Sequence, residues 1–395
     1  MNPEIRRSGE TGQVAAASTA CPARMESRIR DAIVESGGWI GFDRYMRDVL
    51  YTPGLGYYNS GAAKLGVDGD YITAPLLGDV FACCLAGQCA EILQNLDRPE
   101  AGIIVEFGAG TGRMALDILI RLEERSALPK RYVIIETSGD LSGRQQELFR
   151  RHAPGLLDIV QWTDRVPDGI RGAVIANEVL DAMPVKRFRV TDSGRILELG
   201  VGLEGDAFVW KEGGPFKDDI AARFQELGLP EGYQGELGLQ AEYWTSTLAE
   251  ALEEGVALLI DYGFPRREYY HPERMDGTLM CHHRHVAGMN PFSRPGLQDI
   301  TAHVDFSAIA QAGRDGGADV AGYCSQGCFL IGNGVLDLAE SGSESSVRHS
   351  LEIAQQIKKL TLPHEMGELF KVLALVRNYS RSLSGFAVRN IRERL

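Results

Sequence analysis

The sequence contains no long run of hydrophobic residues. Its longest apolar stretches, such as VALLI at 256–260, have the length of a strand, whereas a membrane-spanning helix requires about 18 or more consecutive apolar residues. The sequence also lacks an excess of positive charge, because 41 Lys and Arg residues stand against 54 Asp and Glu residues and the net charge is -13. Nucleic acids and membrane surfaces are themselves anionic, so this composition argues against a general binder of either.

Cysteine is scarce and odd in number. The seven cysteines, together with the absence of a secretory hydrophobic segment, predict a reducing compartment rather than a disulfide framework. Five of the eight histidines lie between residues 271 and 303, which raises the question of a zinc site. However, Cys324 and Cys328 lack the two-residue spacing of a zinc knuckle, and His282 and His283 would point to opposite faces of a strand. We therefore predict no metal.

The middle of the chain alternates between short apolar runs and helical stretches. Apolar runs at 103–107, 132–136, 173–177 and 256–262 predict four buried strands. Because helical patterns separate these strands, the connections are crossovers, and the predicted fold class is α/β with a mostly parallel sheet. Ligands bind to such sheets at the carboxyl ends of the strands. The segment 351–375 is expected to be helical.

A glycine-rich turn follows the first of these strands. Gly108, Gly110 and Gly112 allow the backbone to turn tightly and to approach a ligand closely. A dinucleotide fingerprint needs glycine at the next position, where this chain has Arg113, and the Gly-Lys-Ser/Thr of a P-loop is absent as well. Glu106, just before the turn, would repel a pyrophosphate but suits a cationic group, such as the methionyl part of S-adenosyl-L-methionine.

Polar side chains follow the next two strands. Glu136 ends the second strand, where a carboxylate can accept both hydroxyls of a ribose. Asn177, Glu178 and Asp181 follow the third strand, where they can hold a substrate nitrogen and orient its lone pair. The alternative is that these are ordinary features of an α/β fold, with Asn177 as a helix cap.

A further polar group lies between residues 299 and 305, where Asp299, His303 and Asp305 stand within seven residues. Such a density of ionisable side chains in a moderately hydrophobic strand or turn is more often functional than a solvated face. His303 and Asp305 are therefore candidate catalytic residues.

A series of motifs stands in a fixed order between residues 54 and 375. The motifs are GLGYY at 54–58, GDYITAP at 69–75, EFGAGTGR at 106–113, ANEVLDAMPV at 176–185, IDYG at 260–263, GTLMCHHRH at 277–285, PGLQDITAHVDF at 295–306, SQGCFL at 325–330 and EMGELFKVLAL at 365–375. Together they resemble the MidA-like methyltransferases, the family of the mitochondrial protein-arginine methyltransferase that serves complex I assembly. The motif at 277–285 is similar to the form of the bacterial branch.

The resemblance implies a class I S-adenosyl-L-methionine-dependent methyltransferase fold. This is a Rossmann-like, mostly parallel seven-stranded sheet with an N-terminal helical segment and substrate-side insertions. In the family GDYITAP closes over the cofactor and is usually followed by Glu and a Ser-containing segment. Here Leu76-Leu77-Gly78-Asp79 follows instead, so a polar contact is missing or is supplied by Asp79. The cofactor-binding residues that the resemblance implies are Asp70, Thr73, Gly108, Gly110, Gly112 and Glu136, and the sequence pattern adds Glu106 and Asn177 as candidates.

The expected domain organisation combines the pattern with the resemblance. The core is interrupted by one weakly patterned segment in which Gly and Glu are frequent. The expected parts are a disordered tail at 1–25, a helical and Gly-rich cofactor-covering segment at 26–100, a methyltransferase core with C-terminal helices at 101–190 and 252–395, and an inserted substrate lobe at 191–251.

The expected function is methyl transfer from S-adenosyl-L-methionine to an arginine side chain of a protein. Glu178 and Asp181 are the first candidates to clamp the guanidinium, and His303 and Asp305 are the second. The resemblance suggests a respiratory complex I subunit as substrate, in the cytoplasm of a bacterium or the mitochondrial matrix of a eukaryote. We expect no nucleic-acid partner, no membrane insertion and a homodimer. The alternatives are a small-molecule O- or N-methyltransferase and a non-catalytic assembly chaperone of the same fold.

Overall fold

The structure is a computed structural model that describes residues 10–59, 74–225, 227–283, 286–341 and 347–395. Within these residues the chain divides into two compact units. The first comprises the described residues of 1–64, 184–237 and 272–302, and the second comprises those of 65–183, 238–271 and 303–395.

Short apolar runs and glycine-bounded turns produce strands along most of the chain. The strands are β1 Ile40–Gly41, β2 Ile103–Phe107, β3 Arg131–Ile135, β4 Val160–Thr163, β5 Ile170–Asn177, β6 Lys186–Val190, β7 Ile196–Glu204, β8 Ala207–Pro215, β9 Gln234–Leu237, β10 Leu252–Phe264, β11 Met280–His283, β12 Val286–Gly288, β13 Asp299–Thr301, β14 Val304–Asp305, β15 Asp319–Ser325 and β16 Phe370–Arg377.

Helices connect many of these strands. The helices are α1 Glu10–Glu35, α2 Phe42–Tyr51, α3 Ala74–Leu77, α4 Val80–Gln94, α5 Arg113–Glu124, α6 Gly139–His152, α7 Asp218–Gln225, α8 Leu239–Ala251, α9 Arg266–Tyr269, α10 Phe306–Asp315, α11 Gln326–Gly332, α12 Val335–Ser341 and α13 Val347–Thr361. Helix α1 begins inside the segment 1–25 that the sequence predicts as a disordered tail. Three consecutive alanines at 15–17 favour a helix there, since alanine has the highest helix propensity.

The second unit is built around a mostly parallel sheet. Its strands lie in the order β4–β3–β2–β5–β10–β16–β15. The first five are parallel to one another, whereas β16 is antiparallel to both of its neighbours. Strand β14 also pairs with the end of β10, where Gly263 lies opposite Val304. This path of seven strands confirms the predicted Rossmann-like sheet.

Both faces of this sheet are covered by helices. Successive side chains of a strand alternate between the faces, so Ile104 packs in one apolar cluster with residues of α4, α5 and α13. Its neighbours Ile103 and Val105 pack in a second cluster with residues of α8 and α10. Burial on both faces explains why the sequence shows continuous apolar runs rather than alternation.

The segment 351–375 differs from its predicted helical structure. Helix α13 ends at Thr361, and β16 begins at Phe370. Residues Phe370 to Val376 are all buried, because β16 inserts between β10 and β15 with helices on both faces. A fully buried strand and a buried helix give similar apolar runs, so the pattern alone did not separate them.

The first unit has two smaller sheets. One has the order β1–β7–β6–β9 with β8 beside β7, and the other has the order β12–β11–β13. Residues of α1 and α2 pack with them in an apolar cluster. The segment 191–251 supplies β7, β8, α7 and β9 to this unit. Helix α8 belongs instead to the second unit, because its Ala241, Leu248 and Ala249 pack in that unit's core.

Candidate functional site

The carboxyl ends of four neighbouring strands form one edge of the sheet in the second unit. Phe107 at the end of β2 lies opposite Ile135 of β3 and Ala176 of β5. Asn177 at the end of β5 lies opposite Ile260 of β10. The predicted site residues that follow these strands are therefore brought to a common edge, where α/β sheets bind their ligands.

The turn after β2 has the left-handed backbone that only glycine adopts readily. The φ angles of Gly108, Gly110 and Gly112 are 62°, 55° and 79°. Gly112 precedes α5, and a Cβ atom at this position would lie 2.9 Å from Cγ of Gln145. Both the backbone angle and the lack of space require glycine here. The turn thus presents backbone without side chains directly before a helix.

A buried amide ties this turn to the carboxylate after β3. Nε2 of Gln145 donates to the carbonyl oxygen of Gly110 at 2.9 Å and to Oε2 of Glu136 at 3.3 Å. Trp162 donates from Nε1 to Oε1 of Gln145 at 2.9 Å. Glu136 is partly exposed, and its Oε1 accepts from the backbone N–H of Ser138 at 2.8 Å. Burial raises the pKa of Glu136, although these hydrogen bonds oppose the rise.

Sequence reasoning missed Gln145 and Trp162. Gln145 lies in a mostly polar helix, yet its side chain is fully buried. The helical spacing could have found it, because Gln145 stands four residues after Leu141 and four residues before the buried Phe149, on the same face of α6. Its role follows only from the packing of α6 beside the glycine turn.

Glu106 lies inside the core of the second unit and is fully buried. Its Oε2 accepts a hydrogen bond from the hydroxyl of Tyr132 at 2.6 Å. Among the residues that the structure describes, its Oε1 has no hydrogen-bond partner. Burial raises the pKa of Glu106 to about 7, the Tyr132 hydroxyl opposes this, and the charge of Glu136 adds to it. A buried carboxylate with one oxygen that accepts no hydrogen bond is stabilised in its ionised form by a cation that binds nearby.

The turn after β5 contains a strained residue. Glu178 has a φ angle of 53°, a left-handed conformation that costs a non-glycine residue about 1–2 kcal/mol. Its backbone N–H donates to the carbonyl oxygen of Ile260 at 2.9 Å. Nδ2 of Asn177 donates to Oε1 of Glu178 at 3.3 Å. Strain of this kind concentrates at functional sites, where surrounding contacts maintain it.

Asp261 maintains this turn from the neighbouring strand. Its Oδ2 accepts from the backbone N–H groups of Leu180 at 2.9 Å and Asp181 at 3.1 Å. Its Oδ1 accepts from the N–H of Tyr262 at 2.9 Å. Burial raises the pKa of Asp261 to about 8, the N–H donors oppose the rise, and the charge of Glu178 adds to it. The IDYG motif contains this residue, but sequence reasoning assigned it no role.

Asp305, a candidate catalytic residue from the sequence, caps a helix in the structure, and its catalytic role stays a prediction. Its Oδ1 accepts from the N–H groups of Ser307 at 3.0 Å and Ala308 at 3.2 Å, so it is the N-cap of α10. Its Oδ2 lies 3.0 Å from Nε of Arg266. The helix end and the arginine therefore use both carboxylate oxygens, which explains an acidic residue here without chemistry.

His303 lies beside the end of β10. Its ring stacks on Phe264 with a centroid distance of 5.5 Å and an angle of 8°, and its centroid is 5.9 Å from that of Tyr262. All three rings are partly exposed. His303 is therefore at the same sheet edge as the turns described above, and its catalytic role stays a prediction.

The remaining predictions concern residues that are outside the described ranges or have other partners. Asp70, Thr73 and His285 are outside the described residues. Asp79, which was considered as a replacement polar contact, pairs with Arg121 at 2.7 Å. In the described part of the chain, no three His, Cys, Asp or Glu side chains are grouped as a metal site would require. None of the helices described combines the length and apolar character needed to cross a bilayer.

The edge suits a ribose-bearing ligand with a cationic part. The glycine turn offers close backbone approach, and Glu136 offers a partly exposed carboxylate for the ribose hydroxyls. Within the described ranges, Oε1 of Glu106 and Oδ1 of Asn177 are buried without hydrogen-bond partners. Buried acceptors of this kind are stabilised by a donor or a cation. These residues fit S-adenosyl-L-methionine, whose sulfonium and amine are both cationic.

Comparison with known proteins agrees with this chemistry. The model of a family of S-adenosyl-L-methionine-dependent methyltransferases matches residues 84–324, more than half of the chain. A crystal structure of a Burkholderia thailandensis protein bound to S-adenosyl-homocysteine is 40% identical, with a TM-score of 0.92, and the match covers 99% of this chain and 100% of that one. A native structure of a protein of the same superfamily from that organism has a TM-score of 0.90 at 40% identity, with the same coverage of both chains.

Curated relatives are more distant. The mitochondrial protein arginine methyltransferase NDUFAF7 homolog of Drosophila melanogaster is 25% identical over 405 residues, which cover 94% of this chain and 89% of that protein. The mitochondrial protein arginine methyltransferase NDUFAF7 of Homo sapiens is 26% identical over 410 residues, which cover 91% and 85%.

Proposed function

This chain belongs to the family of S-adenosyl-L-methionine-dependent methyltransferases, and we propose that it methylates a nitrogen of an arginine side chain in a protein. It is an enzyme, and its cofactor is S-adenosyl-L-methionine. The proposal concerns the acceptor. Its support from relatives is the name protein arginine methyltransferase, carried by proteins about a quarter identical to this chain over most of its length.

One structural observation carries the proposal. Glu178 and Asp181 stand three residues apart in a turn that Ile260 and Asp261 hold at the sheet edge. A guanidinium is planar, carries five N–H donors and keeps its charge at any physiological pH. A carboxylate binds such a group through two parallel hydrogen bonds, and a second carboxylate can accept from the remaining N–H donors. A turn with two acids is therefore suited to arginine as the acceptor.

The cofactor-binding residues that we propose follow the strand ends. The backbone of Gly108, Gly110 and Gly112 would lie against the cofactor, and Glu136 would accept the ribose hydroxyls. When bound, S-adenosyl-L-methionine supplies a methyl group that its sulfonium makes electrophilic. The residues assigned to hold its methionyl end are Glu106 and Asn177, with Asp70 and Thr73 as proposed additional contacts.

The chain's contribution to the reaction is orientation and proton acceptance. Glu178 and Asp181 hold the guanidinium so that one of its terminal nitrogens stays uncommitted and points toward the methyl donor. Their negative charges draw the positive charge toward the nitrogens that they contact. A carboxylate oxygen of Glu178 accepts the proton that the methylated nitrogen loses. His303 is the second proposed proton acceptor.

The test uses the full chain with a radiolabelled methyl donor and a bacterial cell extract. Wild-type protein should label a protein band, and hydrolysis of that band should yield labelled methylarginine. Glu178→Gln should retain the affinity for S-adenosyl-L-methionine within about twofold in calorimetry, yet lose on the order of a hundredfold in turnover. Glu123→Gln, an exposed change of the same charge on α5, serves as the control and should behave as wild type.

Two outcomes would overturn the proposal, and a third would change its mechanism. Label only in small molecules would assign the chain to the small-molecule methyltransferases. The absence of any labelled product, together with normal cofactor binding, would favour the chaperone. Normal turnover by Glu178→Gln would remove this residue from the mechanism.

We also propose the partners and the location that the resemblance implies. A respiratory complex I subunit is the proposed protein substrate, and the proposed assembly is a homodimer. The proposed location is the cytoplasm of a bacterium or the mitochondrial matrix of a eukaryote. Identification of the labelled band by mass spectrometry tests the substrate, and light scattering of the purified chain tests the dimer.

A further inference from the structure

We propose that Asp261 is a positioning residue that fixes Glu178 for catalysis by holding the backbone of the turn after β5. The inference rests on the proposed function, because it assigns Asp261 an effect that passes through Glu178. Asp261 accepts hydrogen bonds from the backbone N–H groups of Leu180 and Asp181 in this turn. It is therefore distinct from the acids that we assign to the guanidinium.

The carboxylate of Asp261 holds the backbone of the turn after β5. Asp261 is the tenth of the 13 residues of β10, next to Ile260, which pairs with Asn177 at the end of β5. Ile260 accepts from the N–H of Glu178, and Asp261 accepts from the N–H groups of Leu180 and Asp181. Two consecutive residues of β10 thus fix three of the four residues from 178 to 181.

A carboxylate is better suited to this task than other side chains. Asp261 is fully buried, which raises its pKa, and each N–H donor that its oxygens accept favours the ionised form over the protonated one. Two N–H groups meet at Oδ2 and a third meets Oδ1. Asparagine has the same shape but only one acceptor oxygen. With asparagine, either the bonds from the turn or the bond from Tyr262 must therefore be lost.

The hydrogen bonds from the turn to Asp261 help to maintain the strained conformation of Glu178. A left-handed glutamate is maintained only where neighbouring contacts outweigh its cost. If the bonds from Leu180 and Asp181 to Asp261 are lost, the turn can relax and the carboxylate of Glu178 moves. Misplacement of a reacting group by about 1 Å can lower a rate on the order of a hundredfold. The charge of Glu178 also raises the pKa of Asp261, which indicates that the two acids are close.

The experiment compares Asp261→Asn with a matched control on the same strand. Glu254 is buried near the other end of β10, where it accepts from the N–H of Asp97 and pairs with Arg171 at 2.8 Å. Asp261→Asn should lower kcat by tenfold or more. The KM for the acceptor protein identified from the labelled band, and the Kd for S-adenosyl-L-methionine, should stay within about threefold of the wild-type values. Glu254→Gln should leave kcat and the cofactor Kd as in wild type.

A double-mutant cycle separates a positioning effect from a general loss of structure. In the Glu178→Gln background, Asp261→Asn should change kcat by less than about twofold, because the residue through which it acts is already disabled. An equal loss of kcat in both backgrounds would overturn the inference. If Asp261→Asn does not fold, Asp261→Ser, whose hydroxyl can still accept one N–H bond, is measured in the same way.

Hydrogen exchange supplies a readout that does not need activity. The amides of Leu180 and Asp181 should exchange faster in Asp261→Asn than in wild type or in Glu254→Gln, as followed by mass spectrometry. Unchanged exchange would overturn the inference. Faster exchange together with label only in small molecules would instead overturn the proposed function and leave the backbone clamp in place, so the two failures can be distinguished.

Discussion

Glu106 provides a test of the electrostatics of the candidate site through stability alone. The perturbation is Glu106→Gln, which keeps the shape of the side chain and an oxygen that can accept from the hydroxyl of Tyr132. In the wild-type protein the carboxyl is fully buried, and its pKa is raised from the ordinary value of 4.5 to about 7. The charged form is thus disfavoured in the folded state.

The sign of the effect follows from proton binding. Between pH 4.5 and about 7, the folded protein retains on Glu106 a proton that the unfolded chain has released, so stability falls as pH rises through this window. At about 1.4 kcal/mol for each pH unit, the full effect is about 3 kcal/mol. Glutamine does not titrate, and the variant avoids this loss. Its stability relative to wild type should therefore grow by about 3 kcal/mol between pH 4.5 and 8.

Thermal unfolding in a calorimeter measures the difference. For a chain of this length, about 3 kcal/mol corresponds to about 4 °C in Tm. The Tm of the variant minus that of wild type should therefore be about 4 °C larger at pH 8 than at pH 4.5. The exposed Glu123→Gln should show no such pH-dependent difference. A difference between Glu106→Gln and wild type that stays constant from pH 4.5 to 8 would refute the assignment of Glu106 as a buried, costly carboxylate.

Three further changes test the neighbouring contacts. Gly112→Ala places a Cβ atom 2.9 Å from Gln145 at a φ of 79° and should weaken cofactor binding in calorimetry by tenfold or more. The control Gly143→Ala, on an open helix face, should leave cofactor binding unchanged and raise stability by about 0.5–1 kcal/mol. Gln145→Ala should weaken cofactor binding because it unties Glu136 and the glycine turn, whereas Gln146→Ala should not, and equal affinities would contradict the bridge. Asp305→Ala should lower stability by about 1–2 kcal/mol through loss of the α10 cap, with cofactor affinity retained; lost affinity would place Asp305 in the site.

The sequence predicted the strand ends of the candidate site because their signals are local. A five-residue apolar run that stops at glycine predicted β2 at Ile103–Phe107, and the structure gives the same bounds. The glycine turn and the helix that follows it also come from adjacent residues. In a parallel sheet such turns must meet at one edge, so the common location of Gly110, Glu136 and Glu178 could be predicted before any coordinates.

The partners of these residues could not be predicted in the same way. Gln145 reaches Gly110 across 35 residues of sequence, and Asp261 reaches Leu180 across 81. Such contacts have no period and no fixed spacing. The N-cap role of Asp305 likewise became visible only in the structure, where its side chain accepts from the first turn of α10.

The sequence by itself determined which backbone segments turn tightly and which side chains follow them, because glycine conformations and apolar runs act within a few residues. Only the tertiary structure decided the pKa values of the buried acids and the backbone conformation of the turn after β5. Burial inside the sheet raises the pKa of Glu106 and Asp261, and hydrogen bonds between strands hold Glu178 in a strained conformation. Desolvation and strain depend on neighbours that are distant along the chain, and these neighbours are fixed only when the strands and helices pack together.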